Sequence, residues 1–181
     1  MAAAIGEDVI TRASANAGEQ FIEAYYTALH GARNTIATYY MPKTPLPSGK
    51  MLPVITYNGT QLSDPDEFQT VFANQMPFTY FEVQSFNATV LNPALAPIDV
   101  TKARPKEIEN NMSVLVQVSG QVRLVERKEG PLRAFSDNLV LVPNKEEVGA
   151  KGKGKTGEGE KLAHSEPELQ IRGVKEPLVR L

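Results

Sequence analysis

From Met112 to Val125 the chain alternates apolar and polar side chains with a period of two. Met112, Val114, Val116, Val118, Val122 and Leu124 fall on one parity, and Ser113, Leu115, Gln117, Ser119, Gln121 and Arg123 on the other. An extended strand is the conformation that sorts such residues onto opposite faces, because successive side chains point to opposite sides of the backbone. One face is built for a core, and the other is mostly polar. After the turn at Glu129-Gly130-Pro131 the pattern resumes, with Phe135, Asp137, Leu139 and Leu141 on the core parity and Ser136, Asn138 and Val140 opposite. Thr79 to Leu91 is also a strand, but its phase slips between Phe81 and Val83 on one side and Phe86, Ala88 and Val90 on the other. A bulge near Gln84-Ser85 returns all five to one face and bends the strand. Leu169 to Leu181 regains extended apolar character, with Pro177 marking an edge or a late bulge. A bent antiparallel sheet with one apolar face requires something to cover that face.

The cover lies upstream. Phe21, Tyr25, Ala28, Leu29, Ala32, Ile36 and Tyr39 or Tyr40 recur at steps of three and four, a helical stripe that His30-Gly31 divides in two. Residues 41–53 carry four prolines in thirteen positions, which reads as a connector with little ladder pairing. Val54 to Leu62 forms a hairpin about Asn58-Gly59, the pair suited to a type I′ turn. Asp64-Pro65-Asp66-Glu67 reads as a capped helix start that Pro77 ends. Residues 1–15 read as a flexible lead-in. Residues 16–181 form a single domain, with flexible insertions near 92–111, which holds three prolines, and 144–162, which interleaves Gly, Lys and Glu. The fold class is α+β: a bent antiparallel sheet with N-terminal helices packed in its concave face.

Composition narrows the chemistry. The 181 residues include no cysteine and two histidines, His30 and His164, so thiolate chemistry and a multi-histidine metal centre are excluded, and an intracellular address is expected. The net charge of −2 gives no global attraction to nucleic acid or membrane. The start MAAAIGEDVI lacks the basic and apolar regions of a signal peptide, and no membrane insertion, cofactor or metal is expected.

The strings FIEAYYTALHGARNTIATYY, ITYNGTQLS, DPDEFQTVFANQMPFT, SVLVQVSGQV, FSDNLVLVPN and PLVRL, in that order, resemble the nuclear transport factor two family, and within it the small subunits of fungal heterodimeric mRNA export receptors. The resemblance spans roughly residues 17–143 and 167–181. It implies a non-catalytic subunit that pairs through its sheet face with a paralogous domain of the large subunit. That assembly would aid ribonucleoprotein passage through nuclear pores, shuttling between nucleus and cytoplasm and reaching nucleoporin repeats and RNA through the complex. It also implies that Gln117, Asn138 and Leu178 occupy sheet-to-sheet contact positions, to which strand parity adds Leu115, Ser119, Ser136, Val140 and Arg180. Departures from the family pattern are Asp137, where glutamine is common, and the two insertions.

Other residues carry competing readings. Asp137 on the core parity is either a structural acid bonded to a tyrosine hydroxyl, a backbone amide or Arg133, or the base of a small-molecule-binding, lyase or isomerase member of the same cone fold. Tyr25, Tyr26, Tyr39 and Tyr40 read as core with wetted hydroxyls, and His30 as a helix-end residue. GKGKTGEG at 152–159 lacks the spacing of a phosphate-binding loop. Lys102, Arg104, Lys106, Lys151, Lys153 and Lys155 are candidate RNA phosphate contacts in the insertions, set against a reading as solvated spacers.

Overall fold

The computed structural model describes residues 6–97, 99, 102–104, 107–108, 110–144 and 169–174. Helix α1 spans Glu7–Gly31, and a 3-10 segment, Arg33–Tyr39, follows it. Four short strands come next: β1 Thr44–Pro45, β2 Met51–Leu52, β3 Ile55–Tyr57 and β4 Thr60–Leu62. Helix α2, Pro65–Thr70, widens into a π turn over Val71–Gln75. The main sheet is β5 Thr79–Asn92, β6 Ser113–Leu124, β7 Leu132–Pro143 and β8 Leu169–Val174, antiparallel in the order β5-β6-β7-β8. The architecture is α+β.

Local chemistry accounts for most boundaries. Asn58 and Gly59 hold φ of 48° and 78°, the pair of positive values a type I′ hairpin requires. Asp64 caps α2 by accepting from the Glu67 N–H at 2.9 Å, and the Glu67 carboxylate reaches back to the N–H and hydroxyl of Ser63 at 2.6 and 2.7 Å. The reciprocal cap therefore closes one residue further out than the spacing implies. The pairing of β5 with β6 shifts between Val83 and Ser85, so Gln84 is the extra residue of the bulge. Met112, Val114, Val116, Val118, Leu139, Leu141 and Ile171 are at most 1% exposed, against α1, the 3-10 segment and α2.

Three segments read as loose in the sequence carry ordered contacts among the described residues, and for the first the reading is corrected. Helix α1 begins at Glu7, so residues 7–15 are helical instead of a mobile lead-in; Ala13 and Ser14 are buried on it and Gly18 lies against Ala88 and Val116. Small residues cover the sheet there without leaving a large-apolar period. The proline-rich connector pairs over a short ladder, Thr44 with Leu52 and Pro45 with Met51, at a sheet edge where a missing N–H is tolerated. The 92–111 insertion, expected to be flexible, is tied at its base by the Asn111 side chain to Ala96 on both N–H and C=O, and Ile108 is 6% exposed in the core.

Candidate functional site

Two features stand out on opposite faces of the sheet. On the outer face, strand register sets three cross-strand rows. Thr89, Leu115 and Val140 form the first, Asn87, Gln117 and Asn138 the second, and Ser85, Ser119 and Ser136 the third. The six described residues anticipated for partner contact, Leu115, Gln117, Ser119, Ser136, Asn138 and Val140, thus form one continuous patch. Gln117 donates to the Asn138 side chain at 3.2 Å, and the Ser85 and Ser119 hydroxyls lie 2.8 Å apart. The two polar rows are thus bonded across strands, and Leu115 and Val140 form a half-buried apolar pair in the row beside them. Leu178 and Arg180 lie outside the described residues.

On the inner face, a cavity of about 280 Å³ opens between the β3–β4 hairpin, α2 and the sheet. Aromatic rings form much of its wall, with Asp137 as its acid. The Tyr26 hydroxyl donates to Asp137 Oδ2 at 2.5 Å, the tyrosine partner foreseen for a structural acid. Burial pushes the Asp137 carboxyl up to about 6 from its ordinary 3.8, and the Tyr26 hydrogen bond only partly opposes this. Tyr25 and Tyr40 hydroxyls bond to each other at 2.7 Å, so these two are paired instead of wetted, and burial raises both far above the usual tyrosine range. Tyr39 is more open and donates to the Ala24 carbonyl at 3.2 Å. His30, in the last turn of α1, sits edge-on to Phe78 and Tyr80 with ring centroids 5.2 and 5.1 Å apart.

The shift at Asp137 has a thermodynamic sign. Between pH 3.8 and about 6 the folded chain retains a proton that the unfolded chain has released, so stability falls as pH rises through this window and levels off above it. Asp137→Asn removes the ionisation. At pH 7 the variant is expected to be more stable by about 3 kcal/mol, since one pKa unit corresponds to about 1.4 kcal/mol. Urea titrations at pH 4 and pH 7 check this: the gain should be present at pH 7 and small at pH 4, and equal gains at both would show that the carboxyl does not titrate in this window.

The candidate RNA-contacting cations divide. Lys102 lies 3.5 Å from Asp99, and Arg104 lies 2.8 Å from Glu107, so the described members carry their own counter-charges. Lys106, Lys151, Lys153, Lys155, His164 and the GKGKTGEG string lie outside the described residues. Sequence reasoning missed Arg33, whose guanidinium donates to the carbonyls of Phe72, Met76 and Pro77 and to the Thr79 hydroxyl.

No protein-family model and no curated protein matches the chain. Solved structures do. A Chaetomium thermophilum Mex67 NTF2-like domain complexed with Mtr2 superposes with a TM-score of 0.67 at 22% identity, over 90% of this chain and 96% of that chain. The fold is NTF2-like. A structure of a Sac3N peptide bound to Mex67:Mtr2 gives a TM-score of 0.66 at 22% identity, over 91% of this chain and 99% of that one. A structure of Mtr2 gives 0.62 at 19% identity, over 90% and 97%. Each alignment covers about nine-tenths of this chain.

Proposed function

We infer that this chain is the small, non-catalytic subunit of a heterodimeric mRNA export receptor, pairing through its outer sheet face with a paralogous NTF2-like domain of a large subunit. The observation that carries this reading is the likeness to Mtr2 and to Mex67:Mtr2 complexes over about nine-tenths of the chain, joined to an outer face with polar rows bonded across strands beside the apolar Leu115–Val140 pair. Two sheets packed face to face bury a shared layer of side chains, one face contributed by each. Residence at the nucleus and nuclear pore, with shuttling to the cytoplasm, follows from that role, as does contact with nucleoporin repeats and RNA through the complex. Lys102 and Arg104, each beside an acid, would give RNA phosphates only weak, salt-sensitive attraction. Leu178 and Arg180 would extend the same contact face.

The test is substitution in the apolar row of that face. Leu115→Arg places a charge where the partner sheet would desolvate it, and is expected to weaken binding to a co-expressed Mex67-type NTF2-like domain by about 2 kcal/mol or more. Because the side chain points away from the core, the circular dichroism spectrum should not change. A folded Leu115→Arg variant that co-purifies with the partner at wild-type yield would overturn the assignment.

A further inference from the structure

The cavity has features that pairing through the outer face does not require. Among the described residues Asp137 accepts one hydrogen bond, from Tyr26, and no lysine or arginine forms an ion pair with it. A carboxylate taken out of water without a counter-charge is costly, and a fold that keeps one beside an open space leaves room for a cation to relieve it. The surrounding walls suit a cation as well. Tyr40, Tyr57, Phe68, Phe72, Phe81 and Phe135 all line the space, and aromatic faces attract an ammonium group while packing against an apolar body. At about 280 Å³ the volume lies just below the ~300–1,000 Å³ typical of drug-sized sites, which sets the occupant at fragment size.

We propose that this cavity binds a small organic monoammonium ion, its nitrogen on Asp137 and its hydrocarbon body against the aromatic walls. Asn58, Pro77 and Arg133 are the cavity residues that are exposed, so they mark the mouth. Arg133 places a positive charge there, which selects one charge held deep over a polyamine with a second charge projecting outward. The inner-face site shares no residue with the outer-face patch, so it stands whether or not the partner assignment holds.

Phenethylamine is the probe, with 2-phenylethanol as its neutral counterpart. Each is titrated against the full chain, co-purified with its partner subunit where the assembly forms, and followed by amide chemical shifts. Phenethylamine should perturb residues around Tyr57 and Phe72 and bind at least tenfold tighter than the alcohol, and this preference should vanish in Asp137→Asn. Butylamine should likewise bind more tightly than 1,4-diaminobutane. Filling the space with Val122→Phe should abolish binding; if that variant does not fold, the comparison of probes on the wild-type chain still decides. Equal affinity for amine and alcohol, an unchanged preference in Asp137→Asn, or no binding of the amine at millimolar concentration would each overturn the proposal.

Discussion

Replacing Gly120 by alanine is expected to lower the unfolding free energy on the order of 4 kcal/mol, large for the addition of one methyl group. Gly120 lies on the core parity of β6 between Val118 and Val122, paired with Val83 on one side and Phe135 on the other. A Cβ there would lie 2.1 Å from the Glu82 carbonyl oxygen and 2.9 Å from Phe135 Cε1. The nearer atom is backbone, held by the ladder beside the Gln84 bulge, so it cannot swing aside as a side-chain tip can. The added methyl must break the β5–β6 pairing at the bend or push Phe135 out of the core. Gly18→Ala is the control: its Cβ would lie 3.4 Å from the Ala88 Cβ and 3.6 Å from Val116 Cγ2, ordinary contact distances. In the middle of α1 that change should stabilise by about 0.5–1 kcal/mol through helix propensity. Urea unfolding of the two variants beside wild type should give effects of opposite sign. A Gly120→Ala midpoint within error of wild type would mean that the strands do not approach so closely at the bend.

The contrast between these glycines shows what was legible in the chain. Strand parity is a local property, so the alternation from Met112 to Leu124 was enough to separate the core residues from Leu115, Gln117 and Ser119, and the phase slip after Val83 was enough to locate the bulge. The turn at Asn58-Gly59 and the cap at Asp64 are local too. What was lost involves either small residues or distant partners. The first turns of α1 bury Ala13, Ser14 and Gly18, which fit because the helix rides close to β5, and small side chains leave no hydrophobic period to read. That Asp137 faces inward followed from parity, but its donor Tyr26 lies 111 positions away and could be named only as one tyrosine among several. The outer patch was legible as a set of positions, whereas bonds such as Gln117 to Asn138 form only once the strands are side by side.

Arg33 is the extreme case, since nothing in its neighbourhood marks it, and its loss is expected to be the most damaging among the polar side chains described. The π turn over Val71–Gln75 leaves carbonyls at the end of α2 without helical partners. The Arg33 guanidinium fills that role: one terminal nitrogen donates to the Phe72 and Met76 carbonyls at 2.8 and 3.0 Å, and the other to the Pro77 carbonyl at 2.7 Å and the Thr79 hydroxyl at 2.9 Å. Its Nε also donates to the Leu29 carbonyl at 3.2 Å, so a single side chain ties the end of α1 to the end of α2 and the start of β5. Thr79 is fully buried, which makes an orphaned hydroxyl there expensive. Arg33→Met keeps the stem and removes every donor, and is expected to cost about 3 kcal/mol. Arg33→Lys should recover only a minor part, because an ammonium on a single stem cannot span carbonyls that the planar fork reaches together. Hydrogen exchange gives the sharper check. In Arg33→Met the amides of Phe72 to Thr79 should lose protection first while the β6–β7 ladder keeps most of its own. Uniform loss across the whole sheet, or no loss around Met76, would show that the guanidinium does not hold this junction together.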